Sequence, residues 1–279
     1  MSKPVYPCIW FDGTAKEAAE LYCSVFKQSA LKECTPMVVN FEIGGQHIMG
    51  LNAGPQFKPN PAISFFAIFG DKAELLKAWD TLLQGGSVLM PLDKYDWSEQ
   101  YGWLQDKYGV NWQLGYGKVS EVGQAVAPLL MFCGENQGKA EAAMNFYTQL
   151  FDDGRIEMTA HYPEGMTKVD AHIVHARFRI NGSLLMAMDS AVAQPFTFSE
   201  GVSIVVTCDT QEEIDHYWNK LSANGRESMC GWCRDQFGVW WQVVPSILGQ
   251  LMMDRERAPR VMDAFMKMKK FNIQALIDA

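Results

Sequence analysis

The sequence predicts an α+β protein built from four β-α-β-β-β (βαβββ) modules, arranged as two tandem curved-sheet domains. Three observations carry this. First, Ala15 to Phe26 (AKEAAELYCSVF) returns as Ala140 to Phe151 (AEAAMNFYTQLF), offset by 125 positions. Second, Gly102 to Gln113 (GWLQDKYGVNWQ) returns as Gly231 to Gln242 (GWCRDQFGVWWQ), offset by 129, in the same order. Self-similarity at such a period settles the architecture before any local assignment. Third, within each repeat the apolar pattern switches between the period of a strand and that of a helix. Each repeat, at about 120 to 130 residues, is long enough to bury its own core.

In the first repeat, the apolar run Pro7 to Phe11 predicts a strand, and Asp12-Gly13-Thr14 turns the chain. Ala15, Ala18, Ala19, Tyr22, Val25 and Phe26 then recur at helical spacing. Met37 to Ile43 and His47 to Leu51 read as strands around Gly44-Gly45, a hairpin signal. Ile63 to Phe69 is the next strand. Gly70-Asp71 opens a helix with Leu75, Trp79 and Leu82 inside, and Gly85-Gly86 stops it. Strands follow at Ser87 to Leu92, Gly102 to Asp106 and Val110 to Gly115.

The second repeat has the same plan. Strands are expected at Leu129 to Phe132, ending near Ile180 and Asp189, and at Val202 to Cys208. Helices are expected from Lys139 to Phe151 and around Ile214, Trp218 and Leu221, with last strands near Gly231 to Asp235 and Val239 to Val244. The expected domains are 1–119 and 127–247, joined by a polar connection. Residues 248–279 form a helical extension in which Pro259 suits a first turn and Val261, Phe265 and Met268 share a face.

The copies differ in two lengths. Phe26 to Ile43 spans 17 positions and Phe151 to Ile180 spans 29, so the second copy carries 12 more residues there. Gly86 to Gly102 spans 16 positions and Gly225 to Gly231 spans 6, which gives the first copy an extra loop around Pro91 to Gln100. That loop holds Tyr95, Asp96, Trp97 and Glu99 and suits either a lid or a solvated surface loop.

Composition excludes several classes. A net charge of −8, with one basic cluster at Lys267 to Lys270, argues against a nucleic-acid backbone as partner. No run of 18 apolar residues and no opening basic-then-apolar segment is found, so neither membrane insertion nor export is expected. Seven scattered cysteines read as reduced thiols in a cytoplasmic protein.

The paired, tandem strand-helix-three-strand modules resemble the vicinal oxygen chelate architecture of glyoxalases, bleomycin-resistance proteins and extradiol dioxygenases. The motifs Pro7-Cys-Ile-Trp-Phe-Asp-Gly13, Cys230-Gly-Trp232, Asp235-Gln-Phe-Gly-Val-Trp-Trp-Gln-Val-Val-Pro245, and Arg260-Val-Met262 through Met268-Lys-Lys-Phe271 narrow the resemblance. They resemble the PhnB-like family, often labelled a demethylubiquinone methyltransferase domain. The resemblance covers essentially the whole chain, twice. It implies an eight-stranded, half-open sheet per domain, helices outside, and a ligand cavity on the concave face. It also implies a pseudo-dimer within one chain, open to further homodimerisation.

Many proteins of that wider superfamily hold a divalent metal with His and Glu. The positions that would supply ligands are here Pro7 or Cys8, Asn52, Ser64 and Gln113 in one copy. In the other they are Pro128 or Leu129, Asp189, Ser203 and Gln242. Only Asp189 is a strong anionic ligand, and neutral amides and hydroxyls bind a dication weakly. The expectation is therefore no metal and no cofactor. Instead Asn52, Ser64, Trp103, Gln113, Asp189, Ser203, Trp232 and Gln242 are candidate small-molecule-binding residues. Strand alternation sets Ser64 with Phe66 and Ile68, and Gln113 with Asn111, opposite Trp112. Each glutamine could equally be a satisfied core amide.

Other motifs carry less. His172 and His175 fall on opposite strand faces, and Cys230-Gly-Trp-Cys233 lacks the second pair of a zinc site. Gly134 to Lys139 is one residue short of a phosphate-binding loop. Three functions compete: a small-molecule binder or metal-independent enzyme, a methyltransferase using S-adenosylmethionine, and a non-catalytic interaction module with filled cavities. The methyltransferase reading is disfavoured, because no glycine-rich nucleotide turn with an acidic ribose partner is present.

Overall fold

A computed structural model describes residues 3–279. The first module is β1 (Tyr6–Phe11), α1 (Ala15–Val25), β2 (Ala30–Cys34), β3 (Val38–Ile43) and β4 (Gln46–Asn52). The second is β5 (Ile63–Phe69), α2 (Lys72–Leu82), β6 (Ser87–Tyr95), β7 (Ser98–Gln105) and β8 (Asn111–Tyr116). A short linker helix, α3 (Val119–Val122), leads to the third module: β9 (Val126–Phe132), α4 (Ala140–Leu150), β10 (Arg155–His161), β11 (Ile173–Ile180) and β12 (Ser183–Asp189). The fourth is β13 (Val202–Cys208), α5 (Gln211–Ser222), β14 (Arg226–Glu227), β15 (Trp232–Arg234) and β16 (Trp240–Pro245). Helices α6 (Ile247–Met253), α7 (Ala258–Phe265) and α8 (Ile273–Ile277) close the chain.

The modules form two curved eight-stranded sheets, and each sheet draws half its strands from each repeat. Sheet one runs β14-β15-β16-β13-β1-β4-β3-β2, joining the fourth module to the first. Sheet two runs β10-β11-β12-β9-β5-β8-β7-β6, joining the third to the second. The seams are the antiparallel pairs β1–β13 and β5–β9. The sequence repeat is thus not the unit of strand pairing.

It is nearly the unit of core packing. One apolar cluster holds the inner faces of α1 and α2 with Ile9, Phe65, Trp112 and Leu114, all from the first repeat apart from Val126 at the start of β9. The other holds α4, α5, Trp241 and Val243, with Val5, Ala62, Ile63 and Trp103 joining from the first repeat. Helices α1 and α2, and α4 and α5, are therefore packed inside their repeats, and on the opposite face of sheet two the linker helix α3 meets Arg177.

The duplicated motif centres on a buried carboxylate. Asp106 Oδ1 accepts from the backbone N–H groups of Tyr108 and Val110, and its Oδ2 from Tyr22 Oη (2.7 Å) and Trp112 Nε1 (2.9 Å). Asp235 repeats this with Phe237, Val239, Tyr147 Oη (2.6 Å) and Trp241 Nε1 (2.7 Å). Each aspartate ties its repeat's first helix to the last strand, and every donor is satisfied.

Several sequence expectations need refinement. Strands β2 and β10 escaped the pattern because their residues are mostly exposed and lie at sheet edges. The predicted extra loop around Pro91 to Gln100 is instead the tip of a β6–β7 hairpin, with Tyr95 pairing Ser98. Tyr95 stacks on Trp97 at 4.8 Å, and both rings meet Tyr101. The basic cluster Lys267 to Lys270 lies between α7 and α8, where Lys269 and Lys270 pair with Glu227 and Asp215. The C-terminal extension packs on the second repeat through Val261, Phe271 and Leu276.

Candidate functional site

Alternation places Trp112 and Trp241 among the helices, so their neighbours Gln113 and Gln242 fall on the opposite, concave faces. The register then assembles two matching triads. On sheet two, Trp103 stands directly opposite Gln113, and Gln113 Nε2 donates to Ser64 Oγ at 2.9 Å. On sheet one, Trp232 stands opposite Gln242, and Gln242 Nε2 donates to Ser203 Oγ at 2.9 Å. Six of the eight candidate residues are thus brought together in threes. Ser64 and Ser203 are fully buried, and Gln113 and Gln242 nearly so.

Asn52 and Asp189 do not join them. Both end strands with their side chains turned toward the helices, and both serve backbone N–H groups. Asn52 Oδ1 accepts from Ala15 N (3.0 Å), a free donor at the start of α1. Asp189 Oδ1 accepts from Ala140 N (3.1 Å), and its Oδ2 from His172 N and Ile173 N (3.0 Å each). The sequence suggested ligand positions there because the strand end was identified correctly, but the face was not.

Sequence reasoning missed the neighbours of each triad. Tyr101, two residues before Trp103 on β7, donates from its hydroxyl to Gln113 Oε1 at 2.7 Å. Period-two alternation from Trp103 was the available signal. Cys8 pairs with Ser203 across the seam, and burial pushes its thiol up to about 12 despite hydrogen bonds from the Gln242 and Ser203 side chains. Trp10 packs edge-on against Phe57 and Trp232. On sheet two, Phe66 lies between walls, 5.6 Å from the His175 ring and 6.3 Å from Tyr101. Burial, and then the charge of Arg177, lowers His175 to about 4, so it is neutral at pH 7.

The donor set is a poor match for a divalent ion. Cys8, Ser203 and Gln242 gather on one face, and Leu129, Ser64 and Gln113 on the other. Neither set includes a carboxylate or an imidazole, and Cys8 is held as the thiol. Among the described residues, no three His, Cys, Asp or Glu side chains come together as ion ligands. Cys230 and Cys233 do not converge either, since Cys233 is buried in the helix-side core. What the faces offer is fixed amides, hydroxyls and aromatic walls.

Comparison with known proteins agrees with this architecture. The family model described as 3-demethylubiquinone-9 3-methyltransferase matches twice, over residues 3–115 and 124–244. Protein YjdN of Escherichia coli K12 is 32% identical over 91 residues, 29% of this chain and 61% of that protein. The chain therefore spans about three-fifths of the length of that curated relative. A PhnB protein from Bacillus cereus is 32% identical, covering 42% of this chain and 98% of that one, with a TM-score of 0.37. Glyoxalase I from Zea mays shares the fold over 91% of this chain and 97% of its own, at 9% identity and a TM-score of 0.57. Two family matches, on a chain of two sheets with a glyoxalase-like fold, make this protein a tandem member of the PhnB-like family described as 3-demethylubiquinone-9 3-methyltransferase.

Proposed function

We propose that the concave faces bind a small organic molecule and that no tightly held divalent ion takes part. The supporting observation is the pair of Gln–Ser couples, each fixed opposite an indole. Small-molecule sites have this composition: aromatic walls with a few placed polar groups. The residues assigned to binding are Ser64, Trp103, Gln113, Ser203, Trp232 and Gln242, while Asn52 and Asp189 serve the scaffold. If the ligand is turned over, the reaction is metal-independent. A cytoplasmic location, with reduced thiols and no nucleic-acid partner, fits the acidic composition, and homodimerisation of the chain is a further proposal.

The family description suggests methyl transfer from S-adenosylmethionine, and the turn nearest to a nucleotide loop speaks against it. At Gly138 a Cβ would meet the Asp170 carboxylate at 2.7 Å, which is hostile to a phosphate. The test is a ligand screen by thermal shift on wild type, Gln113→Ala and Gln242→Ala, with elemental analysis of the purified protein. A ligand that raises the wild-type midpoint, and does so no longer in a folded glutamine variant, supports the proposal. A retained metal near one per sheet, or saturable binding of S-adenosylmethionine, overturns it. Variants that unfold, with no ligand for the wild type, favour a filled interaction module.

A further inference from the structure

We propose that the two concave faces have diverged, and that sheet two receives a ligand bearing an oxyanion, held by Arg177. This rests on the small-molecule reading above and names the ligand class for one of its two faces.

Equivalent cross-strand rows carry the argument. In sheet two the row is Arg177, Met186, Leu129 and Ser64; in sheet one it is Asn40, Met49, Cys8 and Ser203. The sheet-one row holds its own acceptors: the Cys8 sulfur stands beside Ser203 across the seam, and Asn40 Nδ2 donates to Glu33 Oε2 at 2.9 Å. In sheet two, leucine replaces the sulfur acceptor and arginine replaces the amide.

The hydrogen-bond direction then leaves donors unspent. Tyr101 Oη–H donates to Gln113 Oε1, and Gln113 Nε2–H to Ser64 Oγ. This relay ends on Ser64, whose proton meets no acceptor among the described residues, since its cross-strand neighbour is Leu129. Among the described residues, Trp103 Nε1 and Arg177 Nε are buried without partners; on sheet one Arg234 Nε is too, but that guanidinium is ion-paired with Glu135. One acceptor, Asn111 Oδ1, is likewise unspent. Arg177 Nη1 donates to Glu121 O at 2.6 Å, but the side chain forms no ion pair among the described residues. Arg179, two residues on, is by contrast paired with Glu157 at 2.7 Å. A half-buried guanidinium whose Nε is shielded from solvent, with no ion-pair partner among the described residues and further free donors on the same face, is the chemistry that receives a carboxylate or a phosphate. Phe66, Tyr101 and Trp103 supply flat apolar surface for the rest of the molecule.

The probes are benzoate, phenyl phosphate and, as a neutral isostere, benzamide, titrated by calorimetry. On the wild-type chain, benzoate or phenyl phosphate is expected to bind about tenfold tighter than benzamide, the scale of one charge-assisted hydrogen bond. The better of the two anions tells whether the planar or the tetrahedral group fits. Arg177→Gln removes the preference, and Arg179→Gln keeps it. Equal binding of benzoate, phenyl phosphate and benzamide, or a preference that survives Arg177→Gln, overturns the proposal. The wild-type comparison needs no variant and remains decisive if Arg177→Gln does not fold. If all three probes bind equally and Ser64→Ala weakens them alike, the small-molecule reading stands and only the oxyanion falls. If neither these probes nor any screened compound binds, both fall.

Discussion

Asp235→Asn tests whether the duplicated motif is scaffold rather than chemistry. Burial pushes the Asp235 carboxyl up to about 6 against the pull of its four donors, so it is ionised at pH 7.5. The amide keeps one oxygen for the Phe237 and Val239 N–H groups. Its nitrogen takes the place of the oxygen that met Tyr147 and Trp241. The tyrosine hydroxyl can rotate and accept, but an indole N–H can only donate. One buried donor is left facing another. An orphaned buried donor costs about 1–3 kcal/mol, and weaker bonds from the remaining donors bring the total to about 3 kcal/mol. For a chain of this size that is a fall of roughly 6–12 °C in the unfolding midpoint. Trp241→Phe removes the conflicting donor, so a double-mutant cycle followed by urea unfolding should show coupling of at least about 1 kcal/mol. Costs that add to within about 0.5 kcal/mol would mean the indole–carboxylate bond contributes nothing, and the argument would fail. Asp106→Asn with Trp112→Phe should repeat the result in the first copy.

Three further outcomes are expected. Asp189→Ala frees three backbone N–H groups and should cost about 3 kcal/mol in denaturant unfolding, while Asn52→Ala, which frees one, should cost about 1 kcal/mol; losses in the reverse order would count against their scaffold role. His175 has its folded pKa lowered to about 4 from 6.5, so the stability it contributes is present above pH 6.5 and lost as pH falls through 4. Stability should drop across that window by up to about 3 kcal/mol, less for its partial exposure, and His175→Gln should flatten the decline; a variant with the wild-type pH profile would refute the link. Gly231 sits at φ +79, and an added Cβ there would meet the Phe271 ring at 2.4 Å and Val243 O at 2.7 Å. Gly231→Ala should dislodge the segment around Phe271, read as faster proteolytic cleavage between α7 and α8, and unchanged cleavage would contradict the packing.

The local pattern of the chain determined the four modules, the two-fold repeat and the faces of Trp112 and Trp241, because apolar periodicity is written residue by residue. Alternation set the strand faces of Ser64 and Gln113, but the contacts of Ser64 with Gln113 and of Ser203 with Gln242 needed the pairing and register of β5 with β8 and of β13 with β16. Only the tertiary structure decided that the first module pairs with the fourth and the second with the third. Repeats that resemble each other present near-equivalent seam edges, so β1 could meet β5 or β13 on pattern alone. The choice follows from packing α1 and α2 against each other, with Tyr22 reaching Asp106. The turn of Asn52 and Asp189 toward helix starts, and the missing counter-charge of Arg177, likewise depend on residues far away in sequence. A side chain's partner is a property of the assembled space around it, which no single strand records.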